Sequence, residues 1–430
     1  MRVLVTGAYG FIGAHIVSEL VTAGHEVIAA VRHPQPAGRL GQLPAIVCDM
    51  ASDTRVEDWL PRLPGIDAVV NAAGILRESG RNRFDTVHRD SPCALFRACE
   101  QAGVRRVVQV SALGDPRDTA FIRSKHEGDH CLSSLTLDWV VVRPSVVYSA
   151  TGSYGGTSLL RALAATPLAL FLPGDGRQRL QPIDAGDLGR LIVRLVEGKG
   201  GPRQVLEAVG PESMTLEQYL QAFRQWLGIP TRLTVRVPLF LIRPLAWLGE
   251  RFGRGPLGMT MYRMLQRGNT GQPGAHRRLA EVTGFAPRAM TTVLQTHPSH
   301  VQDRWHARLY LLRPLLRLSL AFLWIASGVV GLWLPVAEAA RWLEPAGIPV
   351  SAVPVLLYAT SALDLAVGLA LLLRWQVRLA GVVMLAMLLA YTLTLGWLVP
   401  SLWLEPFGGL IKNIPLMVAV LALIALEDQR

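Results

Sequence analysis

The sequence predicts an α/β doubly wound parallel sheet (Rossmann) with a small α/β substrate lobe, followed by an α-helical transmembrane bundle. Three observations support this fold class. Apolar runs of strand length alternate with helical patterns in the first half of the chain, as in parallel sheets. A glycine-rich turn follows the first run. From Leu318 onward, long apolar runs contain few charges, as membrane-spanning helices do.

The predicted strands follow one another at the spacing that helical crossovers require. We place them at residues 3–5, 27–31, 46–47, 68–70, 107–110 and 139–142. The predicted domains are a nucleotide-binding core over 1–148, a substrate-side lobe over 149–304 and a membrane domain over 305–430. Within the lobe, the apolar stretch from Val237 to Trp247 predicts either core packing or a position on the membrane surface.

Composition limits the classes of partner. The formal net charge is +11, yet the arginines are scattered and form no basic repeat, so we expect no nucleic-acid partner. Only three lysines occur, at 125, 199 and 412, which makes a lysine at a motif position informative. The four cysteines form no CxxC pair, and we expect reduced core residues and no metal site.

The first turn carries the strongest chemical signal. Glycines in a strand–turn–helix context let a pyrophosphate approach backbone N–H groups at a helix N-terminus. We therefore predict a dinucleotide site that contains Thr6, Gly7, Tyr9, Gly10, Phe11, Ile12 and Gly13.

The second strand ends at Arg32, where NAD-dependent proteins commonly place an acidic side chain on the ribose. A guanidinium there favours the 2′-phosphate of NADP(H). NAD(H) is the alternative, because an arginine can also stack on adenine. Asp49 is predicted either to accept a hydrogen bond from the adenine amino group or to cap a helix. Ala72, Ala73 and Gly74 end the fourth strand beside the cofactor.

These residues resemble the atypical branch of the short-chain dehydrogenase/reductase superfamily, which includes NmrA-like regulators and a Rossmann-type accessory subunit of respiratory complex I. The segments that carry the resemblance are Thr6 to Gly13, Asn71 to Gly74, Ser111 to Gly114, Arg123 to Lys125 and Arg143 to Ser145. The resemblance implies that Ser111, Lys125, Pro144 and Ser145 lie at the cofactor, and that Ser111 and Lys125 are catalytic.

In catalytic members, a tyrosine four residues before the lysine transfers the proton, and this chain has Phe121 at that position. A phenyl ring has no exchangeable proton, so three interpretations stay open. Tyr148, Tyr154 or His88 supplies the proton; the reaction is a hydride transfer that needs no tyrosine, such as quinone reduction; or the domain binds the nucleotide without turnover.

Residues 126–130 also fit the HExxH pattern, which places two histidines on one helix face for zinc. The segment directly follows Lys125 on the helix that the nucleotide-binding interpretation already requires. We therefore expect no metal there.

The membrane half predicts four spans, since about 20 residues cross ~30 Å of hydrocarbon. They cover residues 318–337, 350–373, 379–399 and 407–426. Arginines precede the first span and fill the second loop, at 304, 308, 313, 317, 374 and 378. By the positive-inside rule, both termini are expected in the cytoplasm and the chain in the inner (cytoplasmic) membrane.

The last span resembles the DoxX-like membrane family through Gly408 to Pro415, which implies quinone-linked redox chemistry. Asp364 falls near the predicted midplane at ~1.5 Å per residue. Because intramembrane charges are expensive, Asp364, Lys412 and Asn413 form a candidate polar site, and an Asp364–Lys412 pair is one hypothesis.

The sequence thus predicts a membrane-anchored NAD(P)H-binding oxidoreductase that acts on a lipophilic substrate such as a quinone or isoprenoid. The alternative is a non-catalytic nucleotide-binding scaffold or redox sensor for a membrane complex. The lipid bilayer is a partner in both cases.

Overall fold

The computed structural model describes residues 1–33, 43–231, 233–253, 255–405 and 409–427. The chain divides into two compact units, Met1–Arg308 and Leu309–Arg430.

Strands occur in the first unit. In chain order they are β1 (Arg2–Thr6), β2 (Glu26–Val31), β3 (Ala45–Val47), β4 (Ala68–Asn71), β5 (Arg106–Val110), β6 (Asp138–Pro144), β7 (Val147–Tyr148), β8 (Leu170–Pro173), β9 (Arg179–Leu180), β10 (Ile183–Asp184), β11 (Gln204–Ala208), β12 (Met214–Thr215) and β13 (Thr234–Val237).

Both units contain α-helices. In chain order they are α1 (Phe11–Thr22), α2 (Val56–Trp59), α3 (Ser91–Ala102), α4 (Ala120–Ser133), α5 (Gly156–Ala164), α6 (Ala185–Val196), α7 (Leu216–Trp226), α8 (Leu239–Phe252), α9 (Met259–Arg267), α10 (Ala275–Thr283), α11 (Met290–Thr296), α12 (Val301–Trp333), α13 (Val336–Leu343), α14 (Val353–Leu372), α15 (Val377–Leu398) and α16 (Asn413–Leu426).

The central sheet confirms the predicted fold class. Within the described residues it has seven strands in the order β11-β6-β5-β4-β1-β2-β3, and every pairing is parallel. The chain runs outward from β1 to β3 and then returns to place β4 on the other side of β1. This reversal creates a crevice at the carboxyl ends of β1 and β4, where α/β sheets bind ligands.

Residues beyond 148 also contribute to this sheet and its cover. β11 extends the sheet by pairing with β6, from Gln204 opposite Val140 to Ala208 opposite Pro144. Helix α6 packs with α1 in one apolar core on one side of the sheet, and a second core that includes α3 covers the other. The chain therefore returns to the central sheet after residue 148, where the predicted substrate-side lobe begins.

One expectation about the cysteines is wrong. Cys93 on α3 and Cys131 on α4 form a disulfide with Cα atoms 5.9 Å apart, whereas Cys48 and Cys99 are free and buried. The two bonded residues are 38 positions apart. Their proximity comes from helix packing and leaves no spacing signal in the sequence.

In the second unit, apolar helices occupy the predicted spans. Among the described residues, three helices are long and apolar enough to cross a membrane, namely α12, α14 and α15. The fourth apolar helix, α16, has 14 residues and follows a 3-10 turn over Leu410–Lys412. Phe407, where the predicted fourth span begins, and Gly408 of the DoxX-like segment lie outside the described residues.

Glycines bring α12 and α14 into close contact. A Cβ on Gly328 would lie 2.7 Å from the carbonyl oxygen of Ser361, and one on Gly368 would lie 2.9 Å from the backbone nitrogen of Ile325. Small residues at such crossings let membrane helices gain dispersion energy that apolar side chains alone do not supply in lipid.

Candidate nucleotide-binding site

The turn between β1 and α1 forms a cradle that only glycine permits. Gly7 has a φ of +66°, and a Cβ there would lie 2.8 Å from the carbonyl oxygen of Ala72 at the end of β4. A Cβ on Gly13 would collide with the Gly7 carbonyl oxygen. Gly10 caps α1 and makes no side-chain hydrogen bond to its first turn. The free N–H groups of such a helix N-terminus suit a pyrophosphate.

Tyr9, Phe11 and Ile12 surround this cradle. All three are half-buried and pack against the core that α1 shares with the sheet. They hold the turn against that core.

A row of buried polar side chains crosses the carboxyl ends of β1, β4 and β5. Thr6 hydrogen-bonds to Asn71 through the two side-chain oxygens, and Asn71 Nδ2 donates to Gln109 Oε1 over 2.7 Å. Gln109 Nε2 is buried and has no hydrogen-bond partner among the described residues. A buried donor without a partner costs stability unless a ligand or water satisfies it.

Lys125 lies fully inside the crevice. Its Nζ atom donates to the carbonyl oxygens of Ala73 (2.8 Å) and Val110 (3.2 Å). Gly74 leaves room for it, because a Cβ there would be 3.1 Å from Nζ. Burial lowers the pKa of Lys125 to about 8, and the nearby Asp129 carboxylate opposes that shift. The predicted residues Ala73, Gly74 and Lys125 are therefore brought together.

Ser111 is held by an ion pair that the sequence interpretation missed. Its hydroxyl donates to Asp129 Oδ2 over 2.7 Å, and Arg143 donates to the same oxygen from Nη2 over 2.9 Å. Asp129 lies four residues after Lys125 on α4, so both face the sheet. That i, i+4 spacing is the signal that could have revealed it.

His88 is close to this site but has no free proton to give. The backbone N–H of Ile75 donates to His88 Nε2 (3.0 Å), and Nδ1 lies 2.9 Å from Ser124 Oγ. Ser124 donates its own proton to the Phe121 carbonyl, so Nδ1 must be the donor of that contact. Burial, together with the charge of Lys125, holds the pKa of His88 well below its ordinary value. His88 is therefore a neutral, fully hydrogen-bonded ring.

Phe121 occupies an apolar cluster beside His88. It packs with Phe84, Ala112 and Ile122, and its ring meets the His88 ring edge to face with centroids 5.4 Å apart. At the position where catalytic members of the family have the tyrosine, this chain thus has a phenyl ring that packs in the apolar cluster.

The two candidate tyrosines lie elsewhere. Tyr148 is completely buried beside Phe223 in an apolar core whose other members lie between residues 150 and 294, and burial raises the pKa of its hydroxyl well above the ordinary value. Tyr154 is 57% exposed. The described contacts place neither hydroxyl against Ser111 or Lys125.

Arg32 and Asp49 contact each other. Arg32 Nε is 3.1 Å from Asp49 Oδ1, and its Nη2 donates to Asn82 Oδ1 over 2.9 Å. Asp49 Oδ1 also accepts from the Ala51 backbone. This partly exposed pair places a guanidinium at the end of β2, where the adenosine ribose of a dinucleotide lies in Rossmann folds.

Pro144 and Ser145 lie at the carboxyl end of β6. The Pro144 carbonyl accepts from the Leu113 backbone over 3.2 Å, and the Ser145 backbone donates to Ala208 over 3.1 Å. Their contacts join β6 to the loop after β5 and to β11.

The HExxH segment has structural partners. His126 Nε2 lies 3.0 Å from the Ala112 carbonyl oxygen. Glu127 forms ion pairs with Arg89 (3.2 Å) and Arg123 (3.7 Å). These contacts account for the polar side chains at the start of the segment.

In the second unit, the candidate polar residues have separate partners. Ser327 on α12 donates to Asp364 Oδ2 on α14 over 2.7 Å, and Asn413 Nδ2 donates to Thr392 Oγ1 over 2.9 Å. Lys412 is exposed, and in the part of the chain that the structure describes it forms no ion pair with Asp364. The Asp364–Lys412 hypothesis is therefore not supported by these contacts.

Further ion pairs lie at one end of this unit. Arg313 Nη2 is 3.0 Å from Glu427 Oε2, and Arg374 Nη2 is 4.0 Å from Glu427 Oε1. The start of the apolar part of α12, the α14–α15 loop and the end of α16 therefore lie at the same end of the bundle.

Two segments of the chain match known families. Residues 7–161 match the family described as NAD(P)H-binding, and residues 321–421 match the DoxX-like family. These matches confirm the two resemblances inferred from the sequence.

Relatives of the chain include a subunit of an NADH dehydrogenase and a photosystem assembly factor. The mouse mitochondrial NADH dehydrogenase (ubiquinone) 1 alpha subcomplex subunit 9 is 25% identical over 262 residues, which are 59% of this chain and 67% of that protein. The photosystem II assembly factor Ycf39 of Synechocystis is 24% identical over 251 residues, 56% of this chain and 72% of the relative. Other relatives match over only 20% of their own length.

Among solved structures, MoeE5 in complex with UDP-glucuronic acid and NAD shares the fold. The TM-score is 0.53 at 23% identity, and the match covers 72% of this chain and 99% of MoeE5. The glycine cradle and the buried Lys125 suit the dinucleotide that the NAD(P)H-binding family match indicates.

Proposed function

We propose that this chain, an NAD(P)H-binding Rossmann domain of the atypical short-chain dehydrogenase type joined to a DoxX-like membrane domain, is a membrane-anchored oxidoreductase. Its substrate is a lipophilic molecule such as a quinone or an isoprenoid. The observation that carries the proposal is the presence, in one chain, of a glycine cradle for a dinucleotide and of apolar helices long enough to cross a bilayer. A hydride acceptor dissolved in the membrane would explain why a nucleotide-binding domain and a membrane domain are joined in one chain.

Different residues of the site would contact different parts of the cofactor and the substrate. Gly7, Gly10 and Gly13 bring backbone N–H groups to the pyrophosphate, and Lys125 offers a buried donor to the nicotinamide ribose. Ser111, fixed by Asp129, sets one wall of the substrate position. Bound NADPH would supply the hydride.

The absence of a proton donor at Phe121 favours some hydride acceptors over others. Reduction of an isolated carbonyl forms a strongly basic alkoxide, which needs a positioned proton donor. A quinone that receives a hydride forms a weakly basic phenolate-type anion, and one proton from water completes the hydroquinone. Because Phe121 has no proton and His88 has both ring nitrogens engaged, the site suits the second reaction.

NADP(H) is our preferred cofactor, with NAD(H) as the alternative. The guanidinium of Arg32 at the end of β2 can form charge-assisted hydrogen bonds to a 2′-phosphate. Its ion pair with Asp49 is partly exposed, so exchanging that partner for a phosphate requires little desolvation.

We place the chain in the inner (cytoplasmic) membrane with both termini in the cytoplasm. The arginine-bearing end of the bundle, marked by Arg313 and Arg374 at Glu427, would be the cytoplasmic end under the positive-inside rule. A membrane redox complex is a further candidate partner, since the mouse relative carries the name of an NADH dehydrogenase subunit.

The test is NADPH oxidation by the full chain in nanodiscs with a short-chain quinone. Turnover with the quinone, together with stoichiometric hydroquinone formation, supports the enzyme. Tight NADPH binding without oxidation by any quinone or aldehyde would exclude it.

The same Phe121 also favours a second candidate, a non-catalytic scaffold or redox sensor. The Ser111 hydroxyl is committed to Asp129, and the Synechocystis relative is named an assembly factor. This candidate predicts NADPH binding without turnover, and co-purification of a partner that depends on the nucleotide.

A further inference from the structure

Helix α8 presents its apolar side chains outward, which reverses the usual arrangement in a water-soluble unit. Phe240 is 71% exposed, Leu245 and Trp247 are each 56% exposed, and Leu248 is 45% exposed. Ala246 is fully buried. At 100° per residue, positions 240, 241, 244, 245, 247 and 248 fall on one broad face, so the exposed side chains form a continuous apolar surface.

Three of the four charged residues between positions 236 and 251 are basic. Arg236, Arg243 and Arg251 are exposed. Glu250 on the same helix turns inward, where its carboxylate accepts a hydrogen bond from the Met259 backbone. The outward surface of α8 therefore combines leucine, phenylalanine and tryptophan with arginine, which is the composition of helices that lie in the headgroup region of anionic bilayers.

The helix is also fastened to the nucleotide-binding crevice. The guanidinium of Arg77, three residues after Gly74, donates to the carbonyl oxygens of Gly249 (2.8 Å), Glu250 and Gly253 at the end of α8. A cavity of about 230 Å³ lies beside the helix, lined by Arg243, Met259, Tyr262, Arg263 and Gln266. A second cavity of about 600 Å³ shares Arg263 and reaches Thr119 and Arg123 at the start of α4.

We infer that α8 is an interfacial helix that docks the nucleotide-binding unit onto an anionic lipid surface. The bilayer is the occupant that fits, because the flanking arginines complement anionic headgroups and the same chain carries helices that can cross that bilayer. Arg77 then holds the loop after β4 at the membrane surface. The inference concerns membrane contact alone and does not require turnover.

Spin labels test this directly in the full chain. Leu245→Cys and Leu248→Cys are labelled in nanodiscs that contain phosphatidylglycerol; Val47→Cys and Val205→Cys, which are exposed positions on β3 and β11, are the matched controls. Native Cys48 and Cys99 are buried and the other two cysteines are bonded, so labelling is selective.

The label on α8 is expected to be several-fold more accessible to oxygen, which partitions into lipid, than to a water-soluble nickel chelate. The control labels should show the opposite preference. Nickel accessibility on α8 equal to that of the controls would overturn the inference, because the face would then lie in water. Low accessibility to both reagents would also overturn the inference, because protein would then cover this face of α8. This holds whether the covering protein is a second copy, which would broaden the spectrum by spin–spin interaction, or another part of the same chain.

A charged variant provides a second readout. In a Leu245→Glu/Leu248→Glu background, a label at Phe240→Cys should lose its oxygen preference, while a Val205→Glu background should leave it unchanged. Melting temperature and NADPH affinity of each variant confirm folding. An unchanged oxygen preference in the doubly charged, folded variant would overturn the inference.

Discussion

The Nζ atom of Lys125 lies 2.8 Å from the carbonyl oxygen of Ala73 and donates a hydrogen bond to it. A cation in the middle of α4 is thereby fixed to the end of β4, where Gly74 leaves the space for it. The charge state of this one side chain should control nucleotide binding.

NADPH affinity should fall as the pH rises through about 8. Folding lowers the pKa of Lys125 from 10.5 to about 8, so the site holds a cation below that pH and a neutral amine above it. Loss of a charge-assisted hydrogen bond weakens binding by about tenfold or more. Binding titrations across this range measure the effect.

Stability should change in the other direction. Between the two pKa values the unfolded chain binds more protons than the folded chain, so Lys125 makes the free energy of unfolding increase with pH in this window. Lys125→Met should remove both pH dependences, whereas Lys199→Met, at a side chain that is 54% exposed, should retain them. An unaltered binding profile in Lys125→Met would contradict the assignment.

Phe121→Tyr should confer reduction of lipophilic aldehydes or ketones with NADPH. The new hydroxyl would stand one helical turn before Lys125, which lowers the pKa of such a phenol. Burying it costs about 1–3 kcal/mol of stability if it finds no partner. Phe84→Tyr adds a hydroxyl to the same cluster from another segment and should gain no activity. Equal gains in both variants would refute a specific role for position 121.

Arg32→Ala should weaken NADPH binding by about tenfold and leave NADH binding nearly unchanged. The physical reason is that only the 2′-phosphate meets the guanidinium. Arg83→Ala, which removes a surface arginine paired with Glu78, is the control. Equal affinities of the native chain for the two cofactors would defeat the NADP(H) preference.

Asp364 and Ser327 should be energetically coupled, and Asp364 and Lys412 should not. The hydrogen bond between α12 and α14 is expected to give a coupling of about 0.5–2 kcal/mol. Two double-mutant cycles scored by melting temperature in detergent combine Asp364→Ala, which removes the acceptor, with Ser327→Ala and with Lys412→Met. Coupling only in the second cycle would restore the Asp364–Lys412 pair.

The termini should both face the cytoplasm. A reporter fused after Arg430 that is active only in the cytoplasm is the expected result. Activity confined to the periplasm would reverse the orientation, and the Arg313–Glu427 end of the bundle would then face outward.

The sequence by itself determined the fold class, the glycine cradle and the apolar helices, because each depends on local patterns. Gly7 needs a positive φ and Gly13 a close helix contact, and both demands are visible as residue types at fixed spacing. The apolar helices follow from hydropathy alone. Phe121 was likewise identifiable from its distance to Lys125.

Only the tertiary structure decided which partner each polar side chain meets. Ser111 is bound by Asp129, His88 is satisfied by Ile75 and Ser124, and β11 joins the sheet beside β6. The Asp364 carboxylate accepts a hydrogen bond from Ser327 on a neighbouring helix. Each of these pairings joins positions that are well separated in the chain. A hydrogen bond requires its two atoms to lie about 3 Å apart. The packing of helices and strands sets that distance, and periodicity along the sequence does not encode it.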